Sequence, residues 1–198
     1  TVGTITEIYD FLRLLYARAG EAYSYITGEK MVHYTDEQIV NLIQKDYAGK
    51  KILLLAPMVN NRKGHYKELF ETIRRKGYMY VRVDGEVQEV VHGMKVDRYK
   101  NHSIEVVVDR LAMHNAQCTM HNDEDAEDLR RLRQSVDKAM MQGNGVMMIV
   151  EWVKGPTIEV GTPQPRFFSR NLMCPTTGLS YTDPAPHTFS FNSPQGWC

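Results

Sequence analysis

The sequence predicts an α+β fold: a mixed β-sheet with helices packed mainly on one side, a helical N-terminal flank and a loop-rich C-terminal flank. Three observations carry that prediction. Residues 51–59 (KILLLAPMV) are an almost unbroken apolar run, the pattern of a central strand covered on both faces. Residues 78–83 alternate and meet Asp84-Gly85, a two-residue hairpin signal. Stretches of helical period between them give the order helix, strand, helix, hairpin, strand, helix, strand, which suits a sheet with helices on one side.

Each element has its own signal. Thr4 and Glu7 are spaced as a capping box, and Ile5, Ile8, Leu12, Leu15 and Ala19 follow at helical spacing up to Gly20. A second box, Thr35 with Gln38, opens a helix through Ile39, Leu42 and Ile43 that ends near Gly49. After the 51–59 strand, Tyr66, Leu69, Phe70 and Ile73 mark a helix closed by Gly77. A two-residue turn at Asp84-Gly85 would set Val83 against Glu86 and Arg82 against Val87. Either a longer loop or an edge strand with one wet face is therefore expected. Ser103–Leu111 reads as a strand, and Leu129, Leu132, Val136 and Ala139 as the last long helix, after an acidic start (NDEDAED) that suits its dipole. Gly145 then opens the strand VMMIVEWV. Gly143-Asn144-Gly145 fits a helix cap and turn, and lacks the Lys and Ser/Thr of a phosphate loop. Beyond Gly155, prolines at 156, 163, 165, 175, 184, 186 and 194 are expected to break regular structure.

Composition excludes several classes. The 24 basic and 24 acidic residues cancel, so no whole-chain field draws the protein to nucleic acid, and any such affinity must come from a local patch. Three widely spaced cysteines do not make a disulfide framework, which suits a reducing, cytoplasmic setting. No apolar segment is long enough to span a bilayer, so no membrane is expected as a partner.

The longer motifs resemble one family. TVGTITEIYDFLRLLYARAG at the start and SRNLMCPTTG with FSFNSPQGWC at the end resemble segments of UvrA, the bacterial nucleotide-excision-repair ATPase. Between them, LLLAPMVNNRKGHYKELFETIRRKGYMYVRVDGEV and HSIEVVVDRL resemble two further UvrA blocks. The match breaks between about Ala112 and Asp128, where an insertion is expected. The resemblance implies a piece of a longer protein: 1–32 a helix and connector from the ATP-binding and signature region, 33–160 the UvrB-binding domain, and 161–198 a connector with a truncated zinc-module-like flank. It implies UvrB as partner, a homodimer of the longer protein, and damaged DNA reached through that protein. ATP with Mg²⁺ and zinc are implied for the longer protein. None is expected in this segment, which has no G-x-x-x-x-G-K-[ST] loop and is not expected to be an enzyme by itself. The flanks 1–20 and 161–198 are expected to pack on each other and hide the apolar face of the first helix.

UvrB docking in the family is polar, and arginine pairs bidentately with carboxylates. Arg110 is accordingly the first candidate contact, followed by Arg82, Arg62 and Lys63. Tyr80 is the fifth, because it stands where the family block has an arginine. The competing reading is that the strand arginines bridge locally to Asp84, Asp97 or Asp109. DNA contact through Arg74-Arg75-Lys76 or Arg130-Arg131 and Arg133 is the alternative function, although basic residues at a helix end also complement its dipole. A small α/β enzyme would have to use His65, His102 and Asp109, which nothing in their spacing brings together. The resemblance implies that Cys174 and Cys198 are remnants of the family's zinc module. Thr177 replaces the second ligand, and Ser24 and Thr27 stand where an equivalent pair would fall, with Tyr23 and Tyr25 as the packing expected to substitute for metal. His114, Cys118 and His121, near Asp123, lack a matching ligand pair and suit a polar hairpin tip.

Overall fold

The computed structural model describes residues 2–113, 123–152, 165–181 and 184–190. The chain forms two units, Tyr34–Arg170 and, joining the two flanks, Thr1–His33 with Asn171–Cys198. In the larger unit the helices are α3 (Asp36–Asp46), α4 (Lys67–Arg75) and α5 (Asp123–Gln142), and the strands are β1 (Lys51–Lys63), β2 (Tyr80–Val83), β3 (Glu86–Glu89), β4 (Asn101–Ala112), β5 (Val146–Glu151) and β6 (Arg166–Ser169). They build one six-stranded sheet in the order β3-β2-β4-β1-β5-β6. The expected α+β class is what the chain adopts; within it every sheet pairing is antiparallel rather than mixed.

The apolar run places β1 in the middle, buried from Ile52 to Ala56. Its alternate residues face two different environments. Ile52 and Leu54 join Leu111, Met147, Ile149 and Phe168 beneath Ile39 and Ile43 of α3 and Leu132, Val136 and Met140 of α5. Ala56, on the same side, packs with Val81, Val83, Ile104 and Val106 under Phe70 and Ile73 of α4. Each of these large buried side chains contributes roughly 1.5–3 kcal/mol of apolar transfer free energy. The opposite face carries Leu53, Leu55, Val107, Met148 and Val150, with Tyr80, Val87 and Phe167 packed against them. Within this unit no described helix packs on that face.

Thr35 and Gln38 form the capping box their spacing predicts, with bonds of 3.3 and 3.0 Å. The hairpin is the tight form. Asp84 and Gly85 take φ of 52° and 99°, the two positive values that a type I′ turn requires, and Val83 pairs with Glu86. Glu86 and Glu89 are exposed because β3 is an edge strand. Gly145 N–H donates to Met140 O at 2.8 Å, closing α5 with a cap rather than a phosphate loop. The expected absence of regular structure beyond Gly155 fails at β6. Pro165 stops just short of that edge strand, and Phe168 is drawn fully into the core.

The smaller unit holds α1 (Val2–Ile5), α2 (Ile8–Ala19), a short hairpin of β7 (Leu172–Met173) with β8 (Ser180–Tyr181), and a 3₁₀ turn at Pro186–Phe189. The Thr4–Glu7 box does not start the helix. Glu7 is the residue before α2, sits at φ 61°, and makes no side-chain cap. The flanks do meet: Tyr9 Oη donates to Phe189 O at 3.0 Å, and the Tyr16 and Phe189 rings lie 5.9 Å apart. That contact leaves much of α2's apolar face open, Phe11 being 67% exposed. The His114, Cys118 and His121 group and Cys198 lie outside the described residues, and Asp123 is the first residue of α5.

Candidate docking surface

A β-bulge decides where Arg110 points. β4 pairs with β1 as Leu54 with Asp109 and Leu55 with Val107, leaving Val108 as the extra residue. Simple alternation from Glu105 and Val107 would carry Asp109 to the helix-free face and Arg110 under α5. With Val108 inserted, Asp109 instead turns toward α5. It accepts from Ser135 Oγ at 2.6 Å and from Arg131 at 2.8 and 3.2 Å, and also takes the Arg110 N–H at 2.7 Å. Burial raises the pKa of this carboxylate, but the bonds from Arg131 and Ser135 outweigh burial and hold it below the usual range.

Arg110 is thereby delivered to the helix-free face. Its guanidinium carbon lies 3.9 Å from the Tyr80 ring centroid and 5.7 Å from that of Trp152, and Lys51 Nζ stands 6.0 Å from the same indole. Arg110 makes no ion pair among the described residues. The expected arginine and tyrosine therefore form one cation–aromatic stack. Trp152 and Lys51 join it without any sequence signal, since only the pairing of β1 with its neighbours brings them there.

Arg82 sits on the same face, opposite Glu105. It donates to Gly85 O at 3.3 Å and stands 3.6 Å from Glu105 Oε2, which has no hydrogen-bond partner. Burial pushes the Glu105 carboxyl up to about 7; Arg82 opposes this shift and Asp84 adds to it. Here the local-bridge reading holds, although Arg82 bridges to Glu105 rather than to an aspartate. Asp84 instead grips His102, whose ring nitrogens lie 2.5 Å from Asp84 Oδ2 and 2.8 Å from Asp97 O.

Arg62 and Lys63 are not part of this stack. They lie at the far end of β1, paired with His102 and Asn101. The basic clusters named for DNA are largely engaged: Arg131 with Asp109, Arg130 with Glu127, Arg74 with Glu71, and Lys76 with Gln142. His65, His102 and Asp109 also stay apart. His65 is an exposed loop residue, His102 belongs to Asp84, and Asp109 to α5.

In the smaller unit, two turns share one backbone form. Gly28 N–H bonds Ser24 O at 2.8 Å and Gly178 N–H bonds Cys174 O at 2.9 Å, with φ of 71° and 68° at the two glycines. Cys174 is fully buried, with Thr27 Oγ1 at 3.4 Å and Glu29 Oε2 at 3.5 Å from its sulfur. Burial raises the thiol pKa, but hydrogen bonds from Thr177, Thr27 and Ser24 outweigh it and bring it down to about 7. A structural zinc ion wants four thiolate or imidazole donors, and one thiol among hydroxyls and a single carboxylate does not supply them. Hydroxyls, rather than the expected Tyr23 and Tyr25, surround the sulfur. Tyr23 turns to Glu21, and Tyr25 packs near Tyr181.

Residues 35–152 match the family model described as the UvrA interaction domain. The UvrABC system protein A of Methanothermobacter thermautotrophicus is 41% identical over 199 residues, and that of Mycobacterium tuberculosis is 41% identical over 200. The Deinococcus radiodurans protein of the same name is 36% identical over 200 residues. Each alignment takes in 100% of this chain, yet the chain spans only 18–19% of the length of these relatives. The matched segment lies entirely within the larger unit, and the chain belongs to the UvrA interaction domain family.

Proposed function

We propose that this chain is a UvrB-docking module of a UvrA-type excision-repair protein, engaging UvrB through the helix-free sheet face so that UvrB is loaded at DNA lesions. The observation that supports the reading best is the Arg110 stack. A guanidinium with no carboxylate partner among the described residues lies within 3.9 and 5.7 Å of two aromatic ring centroids, on the face of an already packed apolar row. Arginine, tyrosine and tryptophan are the residues that dominate protein interfaces, and a guanidinium held in place loses little entropy on meeting a carboxylate. Arg110, Tyr80 and Trp152 make the centre and Lys51 the rim, with Arg82 beneath them bridged to Glu105, which suits an acidic partner surface. ATP with Mg²⁺, dimerisation and damage recognition then belong to the remainder of the longer protein.

Calorimetric titration with UvrB tests this. The wild type is expected to bind, and Arg110→Glu to lose roughly 2–4 kcal/mol of affinity while melting normally. Unchanged binding by Arg110→Glu moves the anchor off this face, and no binding by the wild type removes autonomous docking.

A further inference from the structure

A second charged surface lies at the other end of the sheet. Residues 60–67 and 95–103 carry six Lys and Arg (Arg62, Lys63, Lys67, Lys95, Arg98, Lys100) against one carboxylate, Asp97. Antiparallel pairing joins the two segments, Arg62 with His102 and Lys63 with Asn101. Val96 N–H bonds His65 O at 3.2 Å and His102 holds Asp97 O at 2.8 Å, so the 95–100 loop is tied down on the end of β1. Tyr66 Oη bonds the carbonyls of Arg62 and Lys63 at 3.1 and 3.0 Å, fixing that end of the strand. The six cations are all exposed, and none makes an ion pair among the described residues. Asp97, one carboxylate against six cations, offsets only a part of that charge, and it accepts the Tyr99 N–H at 3.0 Å. Among the cations Tyr99 is 72% exposed, with the Arg98 guanidinium 4.9 Å from its ring centroid.

We infer that this end of the sheet binds the phosphodiester backbone of duplex DNA, without reading its sequence. Phosphates are satisfied by exposed, spread cations, with an aromatic to rest on sugar or base. A protein partner needs a desolvated anchor, which this surface lacks and the Arg110 face supplies. Lys63 lies ten positions along β1 from Leu53, the residue opposite Arg110, roughly 30 Å at the rise of a strand. The two surfaces can therefore be occupied together.

The test is fluorescence anisotropy of the full chain with a labelled mixed-sequence duplex across a salt series. Wild type is expected to bind at low salt and weaken steeply as salt rises. Lys95→Gln/Arg98→Gln/Lys100→Gln, all in an exposed loop, is expected to weaken binding tenfold or more. It should also reduce the slope of log affinity against log salt by roughly 0.9 for each phosphate no longer neutralised. The charge-conserving Lys95→Arg/Arg98→Lys/Lys100→Arg should keep both, and Arg110→Glu should bind DNA as the wild type does. Absence of wild-type binding at low salt overturns the inference, as does a triple neutral variant with unchanged affinity and slope. Loss of UvrB binding by that variant with DNA affinity intact also overturns it, and makes the surface a protein contact. Because Arg110→Glu is read on UvrB and the loop variants on DNA, either proposal can fail alone.

Discussion

The Arg110 guanidinium rests 3.9 Å from the centroid of the Tyr80 ring, so an aromatic on β2 serves as the platform of an arginine on β4. A face-on ring of this kind is worth about 0.5–1 kcal/mol at an exposed site, and it limits the rotamers Arg110 can sample. Tyr80→Phe keeps the platform and should leave UvrB affinity unchanged. Tyr80→Ala should weaken it by about 0.5–1 kcal/mol, a factor of about three to five, and a titration of both variants reads the difference. Equal loss in the two would mean that the hydroxyl, not the ring face, makes the contact.

Asp109 is the counterpart of this stack on the buried side, and its loss should damage both fold and docking. With Asp109→Asn the partly buried Arg131 pair and the Ser135 bond are weakened, and about 1–3 kcal/mol of stability at neutral pH should go with them. The wild-type carboxylate has a depressed folded pKa. Its contribution is present above the ordinary aspartate range and lost as pH falls through the folded value. Denaturant midpoints of the two proteins should therefore differ near pH 7 and converge in acid. A constant gap at all pH values would assign the loss to packing instead of charge.

How the bulge aims Arg110 also marks what could be read from sequence. The central strand, the Thr35 cap, the tight turn and the three helices over one face follow from local periodicity and turn chemistry. Those signals were enough for fold class. The side on which Arg110 emerges was not available, because the run Val106-Val107-Val108 offers three equivalent residues and no glycine or proline to mark the extra one. Trp152, Lys51 and Glu105 are close to Arg110 or Arg82 only through strand pairing, a long-range fact without local signature. Arg166–Ser169 was missed for a related reason. Its proline-rich surroundings argue against a strand, while Phe168 secures one by filling the core.

Two groups on β4 should make the fold more stable in mild acid than in mild base. The Asp84 carboxylate raises the pKa of His102, burial opposes, and the Asp97 carbonyl adds to the rise. Its contribution is complete below the ordinary histidine value and is lost as pH rises through the folded one. Glu105, raised to about 7 by burial, likewise favours its protonated form. Stability is lost as pH climbs from the ordinary glutamate value to about 7. Denaturant midpoints should fall between pH 5.5 and pH 8. Glu105→Gln should match wild type near pH 5 and exceed it at pH 8, by at most about 2–3 kcal/mol. His102→Gln should flatten what remains. A level wild-type profile would sink both assignments.

The paired turns around Cys174 make a last, constructive prediction. Their backbones are alike, each with a glycine in the left-handed region four residues after Ser24 or Cys174, and Thr27 is already 3.4 Å from the thiol. What separates them from a tetrahedral metal site is chemistry at three side chains, since hydroxyls are poor zinc ligands and thiolates good ones. Ser24→Cys/Thr27→Cys/Thr177→Cys should supply the missing sulfurs without moving the chain. The triple variant is expected to take up one equivalent of Co²⁺ with the absorption bands of tetrahedral thiolate coordination and to melt higher with Zn²⁺ than without. Adding Cys174→Ala should weaken metal binding and alter those bands. Wild type, with one thiol among hydroxyls and the Glu29 carboxylate, should show neither response. If the triple variant stays colourless with Co²⁺ although folded, the two turns hold a geometry fitted to hydrogen bonds around one sulfur, and the hydroxyl cradle is more than a change of side chains.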